Sequence, residues 1–207
     1  MTDLDDDQPP VELNAPALLS ALVTEHFVLQ SAASSTISES GSRASIYLAA
    51  LSSGLVAVGF SSGNPDILAA LTFTVFPTIF VLGCFTVVRL IDTSIANVVA
   101  LNRIESIRKY YTKLDPRAQE FFPADDNANA GTLGVRYRAR SVFFTTASMI
   151  AVVNSVLGGA GITVIVSIAT GMPSVASTIM GVVVGLVVLA VSLAYQLRRF
   201  APMLRNG

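Results

Sequence analysis

The chain has 207 residues, with 13 basic and 14 acidic side chains, one histidine and one cysteine, and only 13% of its residues are charged. Soluble domains average about 25% charged residues. Together with a mean hydropathy of +0.63, this excludes an ordinary water-soluble globule. No nucleic-acid partner is expected, because anchoring to anionic lipid accounts for the basic residues more simply. One cysteine excludes an intrachain disulfide, and one His and one Cys without clustered acids give no metal its usual ligands.

Residues 1–14 hold four Asp and Glu12 among prolines, which predicts a disordered acidic tail. Its charge is opposite to that of a secretory signal. A helix is expected over 15–43, starting near Asn14 and Pro16, with Leu18, Leu22 and Leu29 on one face. Glu25 falls inside that stripe, where a carboxylate needs a partner or a wet edge. His26 beside it is a candidate pH-responsive contact. Further on, Glu39 and Arg43 are spaced for an i,i+4 ion pair. The Ser31–Ser45 run is too polar for lipid, and Gly41 weakens the case for an unbroken helix.

Three stretches lack Asp, Glu, Lys, Arg and His: 44–65, 67–88 and 141–197. Crossing a bilayer takes roughly 20 apolar residues. The first two stretches, 22 residues each, fit one span apiece, and the third, 57 residues long, fits two. It divides at Thr170-Gly171-Met172-Pro173-Ser174, where Gly suits a helix end and Pro a helix start. The spans are thus expected at about 44–62, 66–88, 142–169 and 174–197.

Asn64-Pro65-Asp66 offers a cap, a Pro at the first helical position and an acid near the positive dipole end. Pro77, in the middle of span two, is expected to kink it. The carbonyl freed at Phe73 has Thr74 and Thr78 close by in sequence. Cys84, in the same span, reads as a buried thiol. Asn154 is the most polar residue inside span three, and a lone intramembrane Asn usually bonds a neighbouring helix. Ser177, Gly181 and Gly185 form a small-residue row on span four, and span three has Ser155, Gly158, Gly159 and Gly161. The two rows either pack together within one chain or mediate self-association.

The 89–140 segment carries nine of the 13 basic residues, and a helix is expected over 89–114. Ile91, Ile95 and Val98 lie on one face; Ile104, Ile107, Tyr111 and Leu114 lie on nearly the opposite one. Either the helix breaks near Asn102 or its halves meet different partners. The favoured reading sets the proximal half on the Ser-rich helix and the distal half elsewhere, on another subunit for instance. Asp115-Pro116 ends the helix, and an Asp/Asn/Gly-rich loop follows at 125–134.

Neither turn between spans holds a basic residue, whereas Arg43, the 89–140 segment, Arg198, Arg199 and Arg205 hold them all. Basic segments stay cytoplasmic, so both termini and the long loop are expected in the cytoplasm. Arg136, Arg138, Arg140, Arg198 and Arg199 fit anchoring to anionic lipid.

Thr24-Glu25-His26-Phe27-Val28-Leu29-Gln30, the Ser-Glu-Ser-Gly-Ser-Arg-Ala run and Arg89-Leu90-Ile91-Asp92 resemble a group of small actinobacterial integral membrane proteins, over roughly 24–123. That resemblance implies no activity. The order of polar helix, Arg-Ala step, tight hairpin and returning helix is also similar in architecture to the SLATT and Pycsar-type transmembrane effectors of bacterial defence. That likeness implies membrane disruption triggered by a cytosolic signal, often a nucleotide. The four spans here depart from the two-span SLATT pattern, and no nucleotide-contacting motif carries over.

The expected protein is all-α and integral to the membrane. It has four transmembrane helices in two hairpins (44–88 and 141–197), cytosolic segments at 15–43 and 89–140, and a tail at 198–207. It belongs in the inner (plasma) membrane, without enzymatic activity or cofactor, and its partners are the lipid bilayer and other copies of itself. A gated pore or defence effector is the alternative. Glu25, His26, Arg43, Ile104, Ile107 and Tyr111 are the candidate contacts for a cytosolic protein or nucleotide signal.

Overall fold

The computed structural model describes residues 15–115, 117–121, 145–171 and 173–205. The acidic 1–14 segment, the 125–134 loop and Arg136, Arg138 and Arg140 lie outside them. Among the described residues the fold is all-α: α1 (Ala15–Phe60), α2 (Pro65–Leu114), α3 (Ala118–Phe121), α4 (Thr146–Thr170) and α5 (Ser174–Arg205). Four of these helices are long and apolar enough to cross a bilayer.

The helix ends follow local chemistry. A 3-10 turn at Ser61–Gly63 reverses the chain between α1 and α2. The Asn64 side chain then accepts from the backbone N–H groups of Asp66 and Ile67 at 3.2 and 3.3 Å. Pro65 opens α2, as expected from its lost donor and preset φ. Asp115 closes α2 in extended conformation. Thr145 caps α4 by accepting from Ser148 N. Gly171 ends α4 at φ 63°, a left-handed position that glycine adopts without steric cost. Pro173 precedes α5 and supplies the carbonyl that receives the N–H groups of Ala176 and Ser177.

Neither Gly41 nor Asn102 breaks its helix. α1 runs 46 residues and α2 runs 50, about 69 and 75 Å at 1.5 Å per residue. Each is more than twice the length a bilayer core needs. The charge-free halves of α1 and α2 lie with α4 and α5, and the other halves project together as a two-helix stalk from the end that carries the basic residues. α5 also continues past Leu197 as helix to Arg205, where a separate tail was expected.

The helices follow the order α1, α2, α4, α5, each packed chiefly on the next, so α2 and α4 are central. Their shared core gathers Tyr47, Phe76, Leu90, Ile91, Ile150 and Phe200. Large apolar side chains such as Leu55, Val56, Val182 and Val187 point outward, as lipid-facing groups do.

The stalk has its own core of Leu29, Ala33, Ala100, Ile104 and Ile107, with Leu22 and Tyr111 at its edges. The distal half of α2, expected to pack elsewhere, is held within the chain. The distal stripe, Ile104 and Ile107, packs on α1. Ile91 and Ile95 in the proximal stripe join the core shared with Ile150 and Phe200. Both halves meet α1, and the proximal half meets α4 and α5 as well, all within the chain.

Candidate functional site

The polar and small residues of the membrane part are concentrated at three joints. The first holds α4 to α5. A Cβ added at Gly181 would collide with the Gly159 carbonyl and the Thr163 hydroxyl. One added at Gly159 would lie 2.7 Å from the Gly181 carbonyl, and one at Gly185 would lie 3.0 Å from the Ser155 carbonyl. Ser177 is buried on the same line. Ser155 and Gly159 therefore close on Gly181 and Gly185 within one chain, whereas Gly158 and Gly161 face Phe80 and Phe76 of α2.

The second joint is Asn154, only 2% exposed. Its Oδ1 accepts from the Tyr47 hydroxyl at 3.2 Å, and its Nδ2 donates to Cys84 Sγ at 3.5 Å. One side chain thus ties α4 to both α1 and α2. The amide fits because Gly83 leaves it room: a Cβ there would collide with Asn154 Oδ1 and lie 2.8 Å from the Tyr47 ring. Cys84 itself is exposed on the outer surface of the helices, against the expected burial. Tyr47, fully buried, had no signal in the sequence beyond being a tyrosine just inside span one.

The third joint lies near the basic end. Gln196, 1% exposed, donates to Thr145 Oγ1 at 2.8 Å and accepts from the Ser148 hydroxyl at 3.0 Å. The Thr145 hydroxyl thus both caps α4 and fixes α5. The only available signal was a glutamine inside a stretch otherwise free of long polar side chains.

Charged groups surround this end. Glu39 accepts from Arg43 Nε at 2.8 Å and from Arg89 through a two-pronged contact at 2.8 and 3.2 Å. Arg199 of α5 pairs with Asp92 of α2. Thr36 donates to Asn97 Oδ1 at 3.3 Å. Arg43, a candidate for outside contacts, is thus engaged within the chain. The Ser-rich part of α1 reaches α2 through these polar links.

The hydrogen bonds from Arg89 and Arg43 hold the Glu39 carboxyl below the ordinary glutamate range. A carboxylate with a lowered native pKa stabilises the fold above its unfolded pKa, about 4.3. That contribution is lost as pH falls through the lowered native value. The exposed pair should therefore leave thermal stability flat from neutral pH to about 5. Below that, wild type should weaken more steeply than Glu39→Gln in a pH series of melting curves. Parallel curves would show the pair to be inert.

The other expectations fall as follows. Glu25 is exposed, and Leu18 lies outside the stalk core, so the carboxylate has its wet edge. His26 Nε2 lies 3.1 Å from Gln30 Nε2. Ile104 and Ile107 are buried, and Tyr111 borders them. Pro77 is exposed on α2, away from the helix contacts. The neighbouring hydroxyls do not serve Phe73: Thr74 donates to the Ala70 carbonyl and Thr78 to the Thr74 carbonyl.

Among the described residues no three His, Cys, Asp or Glu side chains gather as metal ligands. The joints can hold helices in register and transmit their displacement. Fold and joints together define an all-α, multi-pass membrane protein with a helical stalk. No protein-family model matches the chain, and no curated protein or solved structure matches it either.

Proposed function

We propose that the chain is a non-enzymatic, self-associating scaffold or signalling component of the inner (plasma) membrane, with the stalk and both termini in the cytoplasm. The carrying observation is the free face of α1. Ser31, Ser38, Ser45, Ser52 and Gly59 recur every seventh residue, interleaved with Phe27, Ser34, Gly41, Leu48 and Leu55, and all ten are exposed. An uninterrupted seven-residue period matches a supercoiled partner helix, and small side chains permit its close approach. Nothing lies within 4 Å of a Cβ built at Gly41 or Gly59. In water, Phe27 at 65% exposure also calls for cover. An identical stripe on a second copy meets each requirement. The basic end, with Arg43, Arg89, Arg198 and Arg199, supports the orientation.

Single cysteines in a Cys84→Ser background test both parts. Cysteine at Ser45 should crosslink copies in native membranes, and Ser45→Phe should leave a monomer by mass photometry. Monomer alone, in membranes and in detergent, would sink self-association. Cysteine at Gly63 should react with an impermeant external reagent and cysteine at Asn127 should not; the reverse pattern would overturn the orientation.

The same face supports a second reading, a gated pore. Ser45 and Ser52 would line a path with hydroxyls, and Leu48 and Leu55 would form apolar constrictions that gate by dewetting. Ion flux from reconstituted liposomes that rises in Leu55→Ser would favour the pore. No flux from a verified oligomer would leave the scaffold alone.

A further inference from the structure

Two arginines from different helices meet at one carboxylate where α1 and α2 leave their charge-free stretches. Arg43 stands immediately before the 44–65 stretch, and Arg89 immediately after 67–88. Both donate from Nε to the same Oε1 of Glu39 at 2.8 Å, so the two Nε atoms lie within twice that distance of each other. Cations that close repel one another, and Glu39 cancels only one of the two charges. Asp92, a turn along α2 from Arg89, is already paired with Arg199. A positive charge is thus left over at a fixed place.

Most donors of the pair are unspent. Among the described residues Arg43 gives only its Nε–H, and Arg89 gives its Nε–H and one terminal amino group. The two side chains are 45% and 51% exposed, so the remaining N–H groups are open to a ligand. Guanidinium forks match the oxygens of a phosphate, which can accept from both at once.

The apolar surface beside them favours a lipid over a free anion. Phe85 lies one turn of α2 inward from Arg89, and Ile46 one turn of α1 inward from Arg43, each on the face of its arginine. They are 71% and 60% exposed. A free anion has no use for such a strip, whereas an acyl chain covers it. On α1, Arg43 lies on the far side from Ser38, Gly41 and Ser45. The site therefore stays open whether or not copies associate, and it stands apart from the self-association reading.

We infer that Arg43 and Arg89 together clasp the phosphate of an anionic phospholipid, with an acyl chain laid over Ile46 and Phe85. Native mass spectrometry of the full chain, titrated with phosphatidylglycerol, tests it. Wild type should retain phosphatidylglycerol in preference to phosphatidylcholine. Arg43→Lys and Arg89→Lys keep the charge but remove the fork, and each should weaken binding about tenfold, the loss of a charge-assisted hydrogen bond. Both positions are exposed, and melting curves verify that the variants fold. Arg198→Lys, at an exposed arginine with no ion pair among the described residues, should bind as wild type does. Undiminished binding in both Arg43→Lys and Arg89→Lys overturns the inference, because charge alone would then attract the lipid. So does equal retention of phosphatidylcholine. Inorganic phosphate should not bind at the lipid's concentration; binding as tight as the lipid's would make this a free-phosphate site and overturn the lipid assignment.

Discussion

Gly181→Ala should lower the thermal midpoint of the purified protein by about 2–10 °C, from a loss of about 1–3 kcal/mol. The added methyl meets two groups on α4, and they differ in their ability to move. Thr163 can turn, at the cost of its own hydrogen bond to the Gly159 carbonyl at 3.1 Å. The Gly159 carbonyl is main chain within a packed helix and cannot retreat alone. α4 and α5 must therefore separate along the seam, which also loosens Gly185 against Ser155. Gly63→Ala is the matched control. Gly63 lies in the turn between α1 and α2, off the proposed self-association stripe, and its added methyl meets open space. Equal melting points for the two variants would show that the seam does not hold the second hairpin.

Asn154→Ala is expected to cost about 1–3 kcal/mol, because it strands the Tyr47 hydroxyl in an apolar core and empties the space over Gly83. The pairwise part is separable. A double-mutant cycle with Tyr47→Phe should return a coupling of about 0.6–1.7 kcal/mol, the range of polar contacts between membrane helices. Gly83→Ala should match the Asn154 variant, since its methyl would displace the same amide. Unfolding in mixed micelles reads all of these. Additive single effects would mean that Tyr47 and Asn154 stabilise the bundle separately.

The membrane part was legible wherever residue type alone decides. The absence of charge marked the spans, Asn64-Pro65 marked the start of α2, and Gly171 marked the end of α4. Asn154 stood out because an amide in lipid must find a partner. What stayed hidden depends on how each helix is turned about its axis. Tyr47 and Gln196 are ordinary interfacial residues until the facing helix is placed, and only then become buried bonding partners. α2's two stripes were visible, but the distal one, expected to pack elsewhere, lies on α1. Periodicity says that two faces differ; it does not say what stands opposite each. The seven-residue recurrence of serine in α1 is plain in the sequence too, but spacing alone does not say whether that face is covered or free. Cys84 shows the same limit in reverse, since a residue inside a span can face either a helix or lipid.

The unbroken passage of α1 and α2 out of the membrane makes the stalk a lever arm. Residues 89–114 extend about 39 Å past the charge-free part of α2 as continuous helix. A tilt of about 10° within the membrane would sweep the tip through roughly 7 Å, more than one helical turn. Displacements too small to notice among packed spans thus arrive at the tip as movements the size of a side chain. A load placed on the tip is delivered, by the same geometry, to the fulcrum at Glu39, Arg89, Asp92 and Arg199.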